Sequence, residues 1–187
     1  MGAAGPPLWS FGHGIGTGPG QLAAPHTAEE NPLNPDEVIV AEQYGSAVVL
    51  LTRNGGRDGS TALRTVFGER GVAKSGPSHI DVTHSAHFLP AGPFRGHVLA
   101  TEYRGDHRIM ILHRDTGAIL WQTVVLPVPL EAIYWDDAHI MCSDQERGIF
   151  KLALEDAAVV WHYDTEPHAS GGSFLRSSFS QPVERKR

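Results

Sequence analysis

The sequence predicts an all-β protein. Three observations carry that expectation. First, 21 glycines and 13 prolines punctuate a chain of 187 residues, and they fall between short apolar runs rather than inside long amphipathic ones. Second, 41% of the residues are hydrophobic, enough to bury a core, which excludes a wholly disordered polypeptide. Third, a pattern of turn residues, a histidine and short apolar runs recurs along the chain, the mark of a repeat architecture.

In chain order, Met1 to Pro7 carries neither a basic residue nor an apolar stretch, so no secretory or membrane-insertion signal is read there. The first copy of the repeat runs Gly18-Pro19-Gly20-Gln21-Leu22-Ala23-Ala24-Pro25-His26-Thr27-Ala28. The second runs Gly76-Pro77-Ser78-His79-Ile80-Asp81-Val82-Thr83-His84-Ser85-Ala86, with its histidine 58 residues further on. An aromatic-glycine ending precedes each, Leu8-Trp9-Ser10-Phe11-Gly12 and Leu63-Arg64-Thr65-Val66-Phe67-Gly68. An apolar run ending in an acid follows each, Val38 to Glu42 and Val98 to Glu102. A third copy runs from Leu130-Glu131-Ala132 through His139 to Asp144 and Gly148 to Leu152, and ends at Val159-Val160-Trp161-His162-Tyr163; it lacks the histidine.

Each copy therefore reads as four short strands. Asp115-Thr116-Gly117 supplies a hairpin turn in which Gly117 takes positive φ. Four-stranded units of this length are propeller blades. The expected blades occupy about 22–68, 80–123 and 128–163, within a segment spanning 1–163. Residues 8–12 add an extra outer strand, and 164–187 form a C-terminal tail or a clasp on a partner.

The second copy, His84-Ser85-Ala86-His87-Phe88-Leu89-Pro90 followed by Gly96 to Tyr103, Arg108 to Leu112 and Asp115 to Trp121, resembles a blade of NHL-type and arylsulfotransferase-like β-propellers. The stretch Gly18 to Leu22, leading into Pro25-His26, is similar to the NHL loop between blades. The resemblance covers roughly residues 8–163 and implies the fold. Such propellers host lyases, hydrolases, transferases and plain binding proteins, so it implies no single activity. Three blades fall short of the four to eight that close a ring. The expectation is a six-bladed ring completed by oligomerisation, with the same chain or a related half-propeller subunit as partner.

Charge and cysteine content narrow the partners. Lys and Arg number 15 against 21 Asp and Glu, a net charge of −6, so no basic field gathers nucleic acid or an anionic membrane. Only the tip Arg185-Lys186-Arg187 is basic. Cys142, the single cysteine, can form neither an internal disulfide nor a thiolate zinc cluster, and this points to a reducing compartment, with the cytoplasm as the expected location.

Histidine is in excess, 11 in all. The first strand of a blade lines the channel, so His26 and His84 are expected to converge near the axis. There they would hold a divalent metal, zinc foremost, that lowers the pKa of a bound water. His87 and Glu29, three residues after the repeated histidine, are the candidate catalytic acid and base, and His79 in the interblade loop is a third candidate. The leading functional expectation is a small-molecule hydrolase, or a lyase, working in the channel. The alternative is a non-enzymatic propeller that binds or scaffolds, with the histidines hydrogen-bonded to backbone. The arylsulfotransferase-like resemblance implies a further alternative, a group transferase with a channel histidine as nucleophile. Glu42, Glu102 and Asp144 are expected to accept backbone hydrogen bonds from the turn that follows each. Trp9, Trp121 and Trp161 are expected to pack between blades, while Tyr134 and Trp135 are candidates for an aromatic ligand wall.

Overall fold

The computed structural model describes residues 11–12, 14–54 and 61–164. They form twelve strands: β1 (Pro25–Asn31), β2 (Asn34–Glu42), β3 (Ala47–Thr52), β4 (Ala62–Gly68), β5 (Val82–Phe88), β6 (Val98–Arg104), β7 (Ile109–Leu112), β8 (Ile119–Thr123), β9 (Pro129–Asp136), β10 (His139–Asp144), β11 (Gly148–Ala153) and β12 (Val159–Tyr163). Consecutive strands pair antiparallel, giving three four-stranded sheets: β1 to β4, β5 to β8 and β9 to β12. The chain is all-β and its sheets are propeller blades. No helix among the described residues is long and apolar enough to cross a membrane.

The sequence pattern explains which strands lie inside each blade. Val38-Ile39-Val40-Ala41 and Ala47 to Leu51 are apolar on both faces, as strands must be when both faces of their sheet are covered. The fourth strands are more polar and less buried, and β12 is exposed at all five positions. Between β7 and β8 the Asp115-Thr116-Gly117 turn closes with Gly117 at φ 71° and its N–H donating to the His113 carbonyl at 2.8 Å.

Each blade has a leading face, turned toward the blade that follows, and a trailing face. The leading face of the first blade (Ile39, Ala41, Val48, Leu50, Val66, Phe67) packs on the trailing face of the second (Ala86, Phe88, Val98, Ala100, Met110, Leu112). The leading face of the second (Leu99, Ile109, Ile111, with Trp121) packs on Ala132, Ile140, Cys142, Phe150 and Leu152 of the third. A smaller cluster, Val40, Ala47, Val49 and Leu51, lies on the trailing face of the first blade, where half-buried Phe11, Leu22, Val38 and Leu63 pack against it.

Two sequence-based expectations need correction or restriction. Phe11 and Gly12 do not lie in a strand, and the rest of the anticipated outer strand at 8–12, Trp9 included, lies outside the described residues. So do residues 165–187 of the anticipated tail or clasp. Trp121 packs between blades, but Trp161, at the same register on β12, is 48% exposed, because no described blade follows the third.

Candidate functional site

The first strands β1, β5 and β9 each carry one unpaired residue next to the residue that pairs with the repeated acid of the second strand. Pro25 pairs with Glu42 and Thr27 with Ala41, skipping His26. Thr83 pairs with Glu102 and Ser85 with Thr101, skipping His84. Pro129 pairs with Asp144 and Glu131 with Ser143, skipping Leu130. The repeated position is thus a β-bulge in all three blades. A bulge re-aims its side chain out of the alternation of the strand, and the His26 and His84 rings meet here, centroids 3.9 Å apart and tilted by 49°. Tyr103 flanks His84 at 5.8 Å. Burial, and then the neighbouring His26, lower the His84 pKa to about 4, against the opposing pull of the Leu130 backbone and Glu131. His84 is therefore neutral at pH 7.

The repeated acids anchor the start of each first strand. Glu42 accepts the Ala23 N–H at 2.8 Å, Glu102 the Asp81 N–H at 2.9 Å and Asp144 the Val128 N–H at 2.7 Å. Asp144 also accepts from Glu146 and Arg147 in the turn that follows it. Glu42 and Glu102 instead take a guanidinium: Arg70 at 2.6 Å and Arg108 at 2.6 Å. The acids thus mainly hold the segment that precedes the blade, where the sequence pointed to the turn after the strand.

Further along the first strands, His87 joins all three blades. Its Nδ1 lies 2.5 Å from Glu29 Oε2 on β1, and its Nε2 lies 3.4 Å from Glu131 Oε1 on β9. Burial disfavours the imidazolium, but Glu131 and Glu29 override that cost and raise the pKa of His87 to about 9. The ring is a cation at pH 7, held between two carboxylates. Glu29 Oε1 also accepts the Phe88 N–H at 3.3 Å. His87 and Glu29, two of the three expected catalytic residues, are therefore adjacent. His79 is elsewhere, in the loop before β5, with Nδ1 3.1 Å from Ser78 Oγ, Nε2 3.6 Å from Glu69 and its carbonyl accepting from Arg108.

His26 and His84 provide two imidazoles for the expected metal. Among the described residues no group of three or more His, Cys, Asp or Glu side chains is placed to hold a metal ion, so the donor set does not fit the three protein ligands of a catalytic zinc. Cys142 is fully buried, and burial pushes its thiol pKa up, so it is an inert core residue. Tyr134 packs on the core between the second and third blades with its hydroxyl donating to Asp137 at 2.6 Å, while Trp135 lies beside Lys151 at the surface. They do not form a common wall.

Sequence reasoning missed Glu131, because the third repeat lacks the histidine that flagged the other two. It also missed a hydroxyl device between blades. Thr27 Oγ1 accepts the Ala86 N–H at 3.0 Å, and Ser85 Oγ, one repeat on, accepts the Ala132 N–H at 3.3 Å. The alanine of His-x-Ala, and the hydroxyl residue just before it, were the available signals.

These sheets, bulges and interblade contacts define a segment of β-propeller. Comparison with solved structures agrees on the β-propeller fold and does not support the NHL type specifically. The chain is similar to the WD40 domain of Toxoplasma gondii coronin, at 15% identity and a TM-score of 0.57, over 77% of this chain and 34% of that one. It is also similar to the β-propeller domain of Myceliophteria thermophila Cps50 (Swd1), at 15% identity and a TM-score of 0.51, over 69% of this chain and 38% of that one. The chain thus spans between a third and two fifths of those propellers. No protein-family model matches the sequence, and no curated protein is detectably similar to it.

Proposed function

We propose that the chain is a non-enzymatic propeller module that binds another protein through the rim where the first strands begin. The observation that carries this reading is the exposure of apolar and aromatic side chains there. Tyr44, in the turn between β2 and β3, is 76% exposed, and Ile15, beside Leu22 at the same end, is 88% exposed. At the same end of the first strands the His26 and His84 rings meet, and Tyr103 flanks His84. Large side chains of this kind, few and rigidly mounted, are what protein interfaces concentrate. The candidate chemical groups hold structural contacts: His87 lies between Glu29 and Glu131 of the neighbouring blades, while Glu42 and Glu102 hold Arg70 and Arg108 beside their own sheets.

The test uses the full chain as bait, wild type against Ile15→Asp and Tyr44→Ala. A protein partner retained by the wild type and lost from both variants is the expected result; retention unchanged by both variants would overturn the rim assignment. A parallel assay follows hydrolysis of aryl esters, lactones and phosphate monoesters. Turnover abolished by His87→Ala would restore the hydrolase reading in place of this one.

A further inference from the structure

Ahead of β1, Phe11 and residues 14–22 form no strand beyond the Ile15–Leu22 bridge, yet they carry the anchors of a blade junction. Between the first and second blades, Phe67 near the end of β4 and Ile80 in the loop before β5 are buried in the interblade core. The sequence repeat places Phe11 and Leu22 at the corresponding positions, Phe11-Gly12 answering Phe67-Gly68 and Gly18 to Leu22 answering Gly76 to Ile80. The turns correspond as well: the Gln21 N–H donates to the Gly18 carbonyl at 3.1 Å, and the His79 N–H to the Gly76 carbonyl at 3.3 Å.

Phe11 and Leu22, both half-buried, pack on Val40, Ala47, Val49 and Leu51 of the first blade. This is the trailing face, and in the second blade the same face is covered by the blade before it. A loop thus does for the first blade what a whole sheet does for the second. Repeat arrays need such a cover at their ends, because a bare blade face is a large apolar patch in water.

Arg70 fastens this segment. Its Nε and Nη2 donate to the two oxygens of Glu42, each at 2.6 Å, a bidentate fork. The same guanidinium donates to the carbonyls of Gln21 at 2.6 Å, Thr17 at 3.1 Å and Gly16 at 3.4 Å. The Glu42 side chain is fully buried and that of Arg70 is 12% exposed, so salt screens the fork little. In the second blade Arg108 does the same for the loop before β5, joining Glu102 to the carbonyls of Gly76 at 2.9 Å and His79 at 2.7 Å. The two arginines differ in origin. Arg108 belongs to the blade it serves, whereas Arg70 lies in the loop after β4, where the Gly71 N–H donates to the Gly45 carbonyl at 2.7 Å. The segment ahead of β1 is therefore tied to the junction between the first and second blades.

We infer that Phe11 and residues 14–22 are a capping strap, seated where a preceding blade would pack and locked by Arg70. Opening the fork between Arg70 and Glu42 releases the strap and bares the trailing face of the first blade, while the second and third blades stay folded. The strap is a local opening unit, separate in stability from the sheets it covers.

Hydrogen exchange read by mass spectrometry on the full chain tests this. The variant is the double substitution Glu42→Gln with Arg70→Met, which removes both charges together and leaves no buried carboxylate uncompensated. Its far-ultraviolet circular dichroism spectrum is expected to match that of the wild type. In the wild type the strap is expected to be protected, since the Gly16 and Gln21 N–H groups are hydrogen-bonded within it. In the double variant the strap amides exchange at least about tenfold faster, the least that losing one charge-assisted hydrogen bond gives, and β5 to β8 keep their wild-type rates. Binding of the dye anilinonaphthalene sulfonate, which reports exposed apolar surface, rises in the same variant and in Phe11→Ala with Leu22→Ala, which keeps the fork but strips the anchors. Wild-type strap amides that exchange at free-peptide rates overturn the inference. So does a double variant unchanged in both exchange and dye binding, or protection lost equally from β5 to β8, since the fork would then hold the whole fold rather than the strap.

Discussion

Replacing His87 with Gln removes the cation that joins the three blades and leaves Glu29 and Glu131 facing each other without it. The rise of the His87 pKa from 6.5 to about 9 corresponds, at about 1.36 kcal/mol per pH unit, to roughly 3 kcal/mol of preferential stabilisation of the folded state. Glu29 is 36% exposed, and solvent screening of that side of the bridge reduces the expected loss to about 1–2 kcal/mol. Because the folded-state pKa is raised, the contribution is complete below about pH 6.5 and is lost as pH rises through about 9. His84 acts in the opposite sense: its pKa is lowered to about 4, so stability falls as pH drops from about 6.5 toward 4. Subtracting the His87→Gln stability from that of the wild type at each pH cancels this second slope. Urea denaturation between pH 6 and pH 10 is the assay. The difference is expected to be largest at pH 6 and to shrink toward zero by pH 10. A difference that is flat across this window, or a His87 ring that titrates near 6.5 by NMR, would refute the bridging role.

Two further predictions follow from the blade contacts. Arg108→Ala leaves Glu102, which is completely buried, without its guanidinium, and is expected to cost about 3–5 kcal/mol in a denaturant titration, since a buried charge is then uncompensated; a loss below about 1 kcal/mol would show that the pair is not closed in solution. Gly117→Ala places a Cβ at φ 71° against the Val66 carbonyl of the preceding blade. It is expected to cost at least about 1 kcal/mol and to lower the melting temperature by several degrees, whereas an unchanged melting temperature would mean that the turn relaxes away from the first blade.

Much of this molecule follows from local residue order. The spacing of Gly-Pro, His-x-Ala and the apolar runs is enough to divide the chain into four-stranded units, because alternation and turn chemistry act over a few residues. Gly117 in its turn, and the equivalence of His26 with His84 and of Glu29 with His87, are legible for the same reason. Three matters belong to the tertiary structure alone. The two imidazoles touch because each sits on a bulge, and a bulge is set by the register of the partner strand, which hydrophobic pattern does not encode. Glu131 joins His87 because the third blade is packed against the second, although nothing near Glu131 in the chain marks it as an acid of that site. Finally, the repeat treats Trp121 and Trp161 alike, yet one is packed and the other open, because burial depends on a neighbouring blade to receive the side chain, and no described blade follows the third.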